Sequence, residues 1–218
     1  MKKLILTLIT VISISTLSAQ YFQLSYLSGS NNPGGLNKDT EFPISGGISA
    51  GWTNILAGNQ VSAKWSARKK MPFTFKFNGT DYDSFYVSSS GVLTFSSTVG
   101  TAPGYGNAAL PTASIPDNSI CVRGLKTDGA NSNFANIVTK TFGASGSQQF
   151  WVTFSAYNEN NLGNNGFLWF SIMLEEGTNK IYFVDQRQYG AAATKLTLGV
   201  QFNSTTAITV TGSPNIAM

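Results

Sequence analysis

Residues 72–96 read PFTFKFNGTDYDSFYVSSSGVLTFS, and this stretch constrains the fold more than any other. Phe73, Phe75 and Phe77 alternate with Thr74, Lys76 and Asn78. A period of two places all three rings on one face of a strand. Asn78-Gly79 follows, a pair that tolerates the positive φ of a tight turn. Phe85 to Val87 forms a second strand, and Ser90-Gly91 turns the chain into a third at Val92 to Phe95. Three strands with one aromatic face are not stable alone in water and need a second layer.

The rest of the chain offers that layer. Asn136–Phe142 and Gln149–Tyr157 read as a hairpin across Gly143–Gly146, with Phe150, Val152 and Phe154 on one face. Gly166–Glu176 is apolar on both faces, as a covered central strand is. Thr178-Asn179 turns it into Ile181–Val184. Leu196–Phe202 alternates, and Ala207–Thr211 is the last strand. Tyr21–Leu27, a pair of short strands within Phe42–Trp52, and an edge strand at Val61–Ser66 complete the set. Residues 100–118 hold three prolines and read as a long connection, either a packed lid or a crossover between sheets. No stretch has a convincing helical period. The expectation is an all-β, antiparallel two-sheet sandwich, jelly-roll-like, with about eleven to thirteen short strands and no significant helix in the mature chain.

Only 11 % of the 218 residues are charged, against roughly a quarter in ordinary soluble proteins. Ser, Thr, Asn, Gln and Gly carry the polarity, which suits strands and turns. The net charge is +4, and Lys2 and Lys3 supply two of it. Arg68, Lys69 and Lys70 form one basic cluster, read as a solvated face, and no nucleic-acid partner is expected. Residues 1–19 have a basic start, an apolar run from Leu4 to Leu17 and small Ser18-Ala19, the order of a cleaved secretory leader. A membrane span needs about 20 apolar residues, so this run is too short and too rich in Ser and Thr. The expectation is one sandwich domain over 20–218, secreted or on the cell surface, with no transmembrane segment in the mature chain.

Cys121 is the only cysteine, set in the apolar run Ile120-Cys121-Val122, and reads as a core residue. The chain contains no histidine. That excludes Ser-His-Asp and Cys-His nucleophiles and His-containing zinc sites. Neither phosphate-binding glycine motif occurs. Glu175 and Glu176 are adjacent and point to opposite faces, so they do not form the facing carboxylates of a glycosidase. Asp81 and Asp83 are weak candidates for Ca²⁺, against a solvated turn. No cofactor is expected. Asn78-Gly79-Thr80 and Asn203-Ser204-Thr205 match the N-glycosylation sequon. The candidate recognition loop is Tyr157–Asn165, rich in amides: Tyr157, Asn158, Glu159, Asn160, Asn161, Asn164 and Asn165. Tyr105, between two glycines, is a second candidate that could stack on a flat ligand. A flexible polar hairpin tip is the plain alternative.

Several stretches in order resemble a known family. The run from Pro72-Phe73-Thr74-Phe75 through Asn78-Gly79 to Tyr86-Val87-Ser88-Ser89-Ser90-Gly91-Val92-Leu93-Thr94-Phe95 is its first part. Leu110-Pro111 to Ile120, Phe170–Phe183 and Leu198-Gly199-Val200-Gln201 follow it. Leu125 and Asp128 match an acidic turn that lacks its usual tryptophan here. These resemble the β-sandwich modules of Bacteroidetes surface and type IX-secreted proteins, and more distantly nidogen-like domains. The resemblance spans roughly residues 40–210 and carries no catalytic residues. It implies a non-catalytic module of an exported, often surface-displayed protein, with an adhesive, interaction or structural role; the expected partner is a glycan, from the amide-rich tip and the aromatics, or a surface protein. A glycan-binding module is the alternative, and a polysaccharide-acting enzyme the third reading. Such modules commonly continue into adhesive or sorting domains, so the end at Met218 fits a piece of a longer protein or another export route.

Overall fold

The computed structural model describes Gly35 and residues 51–58, 60–127, 136–161, 166–190 and 195–217. The expected strands at Tyr21–Leu27 and within Phe42–Ala50 lie outside these residues. The described residues form twelve strands and no α-helix. In chain order these are β1 (Thr53–Leu56), β2 (Lys69–Phe77), β3 (Thr80–Val87), β4 (Val92–Thr94), β5 (Ser119–Arg123) and β6 (Leu125–Lys126). Then come β7 (Asn136–Phe142), β8 (Gln149–Glu159), β9 (Gly166–Glu175), β10 (Ile181–Gly190), β11 (Thr197–Asn203) and β12 (Thr206–Thr209). All pairings are antiparallel. One sheet runs β1-β7-β8-β9-β10 with β6 paired to β8; the other runs β12-β11-β5-β4-β3-β2. Neither closes into a barrel, so the fold is a sandwich.

The alternation read from the sequence sets the inner faces. Phe73, Phe75 and Phe77 of β2, Phe85 and Val87 of β3, Ile120 and Val122 of β5 and Leu198 of β11 meet Ile137 of β7, Phe150, Val152 and Phe154 of β8 and Phe170, Ile172 and Leu174 of β9 in one core. The outer face of the first sheet is apolar too: Val138, Trp151, Met173 and Val184 are buried there with Trp52. Polar residues on that face bond across strands. Thr153 Oγ1 lies 2.6 Å from Ser171 Oγ, which donates to Gln186 Oε1 at 2.7 Å.

β2 is an edge strand of its sheet, and Val61–Ser66 is not a strand. Val61 is 98 % exposed, and only Trp65 makes a bridge there, to Ser88. Pro72 and exposed lysines on β2 discourage pairing with another chain. Its Lys76 N–H donates at 2.7 Å to Asn179 Oδ1 from the β9–β10 turn, which fastens one sheet's edge to the other sheet.

Residues 100–118 do not cross between sheets, because they join β4 to β5, its neighbour in the same sheet. They form a strap over that sheet's outer face. Leu110 and Ile115 pack on Val92 and Cys121. Buried polar side chains of the sheet hold the strap's backbone. Gln201 Nε2 donates to Thr112 O and Ile115 O, both at 3.0 Å, and its Oε1 accepts from Thr112 N at 2.9 Å. Thr197 Oγ1 donates to Asn107 Oδ1 and Ala108 O. Burial under the strap pushes the Cys121 thiol up to about 12. The thiolate is the reactive form. A thiol reagent at pH 8 should therefore leave the folded protein unmodified and label Cys121 on denaturation; labelling of the native chain at the rate of a free thiol would contradict the burial.

Candidate functional site

The tip expected at Tyr157–Asn165 begins later than its composition suggests. β8 continues to Glu159, and Tyr157, Asn158 and Glu159 are fully buried. A bulge explains the change of face. Phe154 pairs with Phe170 but Tyr157 pairs with Leu168, so β8 holds one extra residue between them. Ala156 takes φ +54° there. A β-bulge shifts the alternation by one. Tyr157 therefore joins the inner core, edge-on to Phe154 at 5.4 Å. Asn158 faces outward from the sandwich, level with its β6 partner Lys126.

Asn160 is half-buried, and its N–H donates to Gly124 O at 2.7 Å. Asn161 is exposed, and its Nδ2 donates to Glu159 Oε1 at 3.0 Å. Asn164 and Asn165 lie outside the described residues. Asp81 is exposed and pairs with Lys76 at 3.6 Å. Asp83 accepts from Ser84 Oγ at 2.7 Å, and that bond, ahead of the coulombic pull of Lys70 and Arg68, holds its carboxyl below the usual range. Among the described residues no third His, Cys, Asp or Glu completes a metal-sized group.

Tyr105 comes to the same end of the sandwich. Its ring is half-buried on the strap. Its hydroxyl donates to Gln60 O at 3.1 Å and lies 3.2 Å from both Ser89 Oγ and Thr127 Oγ1. Thr127 follows β6, which pairs with Asn158 and Glu159. The two candidate segments are thus neighbours through β6. Burial raises the Tyr157 phenol well above its ordinary range, and the nearby Tyr105 phenol adds to it. Arg123 grips the strap around Tyr105, with Nη2 donating to Gly104 O at 3.1 Å and Gly106 O at 2.6 Å.

Among the described residues, three near the bulges hold buried polar atoms without hydrogen-bond partners: Tyr157 Oη on the inner face, Asn158 Nδ2 and Oδ1 on the outer face, and Asp185 Oδ1 opposite Phe170 in mid-β10. Leaving such an atom unpaired costs about 1–3 kcal/mol. A second bulge, between Asp185 and Arg187 of β10, lies across β9 from the first. Burial raises the Asp185 carboxyl, against a Gln188 hydrogen bond of 3.0 Å that lowers it in part. Composition pointed to Tyr157 and Asn158. Nothing in it signalled the bulges or Asp185, because a bulge at Ala156 has no residue signature.

The chain matches a family model described as NIDO related over residues 43–217. No curated protein matches, and no solved structure matches.

Proposed function

We propose, since the chain belongs to the NIDO-related family, that it is a non-catalytic module of extracellular type that works by binding. The observation that carries this reading is Asn158, fully buried just beyond the β8 bulge with neither amide atom partnered. Bulges and unsatisfied polar groups are destabilising and concentrate where a partner is met. The acidic residues outside this end support the non-catalytic part. Glu176 is taken up by the N–H groups of Gly146 and Gln148, and Glu175 by Thr178.

An adhesive or interaction role, on a secreted or surface protein exported through a leader over residues 1–19, belongs to the same proposal. So does a single domain over 20–218, with carriage on a Bacteroidetes type IX cargo protein as its finer form. Glycan binding is the second reading, favoured by the amides at the β8 end. The proposed site residues are Tyr157, Asn158, Glu159, Asn160 and Asn161, with Tyr105 neighbouring them through β6; Asn164 and Asn165 continue the same loop in the sequence.

Labelled protein should bind saturably to members of a glycan array or to immobilised extracellular proteins. An Asn160→Ala/Asn161→Ala variant and Tyr105→Ala locate the contact. Absence of saturable binding to both panels would remove the reading.

A further inference from the structure

We propose that Asn158 is the ligand-gripping amide of a carbohydrate site on the outer face of the first sheet, flanked by Phe167 and Trp169. This rests on the binding reading above and names its ligand class. Three observations converge on the place. Asn158 is fully buried, yet neither its Nδ2 nor its Oδ1 has a partner. Leu168, the partner of Tyr157, lies in the core, so Phe167 and Trp169 alternate onto the outer face that Asn158 shares. Both rings are half-buried, as is Lys126, the β6 partner of Asn158.

The chemistry selects the ligand. A primary amide offers donors and an acceptor side by side. Vicinal hydroxyls of a sugar offer the same pair in reverse. Indole and phenyl rings present flat apolar faces, which suit the C–H face of a pyranose. A few placed polar groups among aromatic walls are the usual make-up of a small-ligand site. Lys126 adds one positive charge beside the amide, so a neutral or weakly acidic sugar fits better than a strongly charged one. Because Asn158 lies beneath the surface, a sugar hydroxyl reaches it only when a covering side chain turns aside, and Trp169 is the tryptophan that alternation puts on the same face of β9. Binding should then change tryptophan fluorescence, and Trp169→Phe should remove that change.

The decisive variant is Asn158→Leu, similar in size with no polar atoms. If the amide is kept for a ligand, the folded protein does not need it. The variant should unfold at the same or higher denaturant concentration than wild type and lose glycan affinity about tenfold or more. Trp169→Ala, at a half-exposed position, should lose affinity to a similar degree and serves if Asn158→Leu does not fold. Wild-type affinity in either folded variant overturns the site while leaving the binding reading intact. Wild type that binds proteins but no glycan overturns the ligand class. Wild type that binds neither overturns both.

Discussion

Gly91→Ala should yield no stably folded protein, or one that has lost more than about 4 kcal/mol, the range in which a single mechanism dominates. Gly91 takes φ +83°, and a Cβ built there would stand 1.8 Å from the carbonyl oxygen of Val122. That oxygen belongs to β5, the strand at the centre of its sheet. Gly91 O also accepts from Val122 N at 2.7 Å, so the turn cannot withdraw without breaking the ladder. The turn is built into the sheet: Ser88, Ser89 and Ser90 are all fully buried. Ser88 Oγ accepts from Val92 N at 3.2 Å, and Ser89 Oγ from Lys64 N at 3.0 Å. Gly79 supplies the control. Its φ is +79°, nearly that of Gly91, but a Cβ there meets nothing within 4 Å. Gly79→Ala should cost only the left-handed backbone term, about 1–2 kcal/mol. Urea denaturation of the two variants separates backbone strain from the clash; equal losses would show that the close approach to Val122 is not what requires glycine.

That pair also shows what the sequence could and could not convey. Asn78-Gly79 and Ser90-Gly91 both read as turns, and both are. Sequence has no term for what lies opposite a turn, and this alone separates a solvent-exposed hairpin from one wedged against β5. The faces of β2, β8 and β9 were legible because a period of two needs only the local pattern. The same rule failed beyond Phe154, where one inserted residue moved Tyr157 inward and β8 ran on beside β6 through Asn158 and Glu159, three buried side chains that composition had placed at a polar tip. The strap was legible as a long connection from its prolines. Its course was not, because Gln201, Thr197 and Arg123 hold it from strands 17 to about 90 residues away along the chain. The site is therefore half visible in sequence: the amides are there to be read, and the bulges and unpaired atoms that give them meaning belong to the tertiary structure.

Phe75→Ala should destabilise the fold by about 3–5 kcal/mol, the range for emptying a large buried ring. Phe75 is fully buried on β2 and stacks on Phe95 with centroids 5.8 Å apart. Phe95 also contacts Phe77 at 5.3 Å and Tyr82 at 5.0 Å, so the lost ring removes one wall of a four-ring cluster. Two features oppose relaxation into the hole. The edge that β2 would have to shift is tied to Asn179 of the other sheet, and Pro72 limits the backbone two residues before Thr74. The cost should therefore lie in the upper part of the range, although an edge strand is ordinarily the easiest to move. Phe73, at 8 % exposure nearer the strand's start, should cost less on the same change. Thr74→Ala, on the exposed face between them, should stay within about 0.5 kcal/mol. Urea midpoints at unchanged slope read all three. A Phe75→Ala midpoint equal to that of wild type would mean that the ring does not face the core and that the period-two reading of this strand fails.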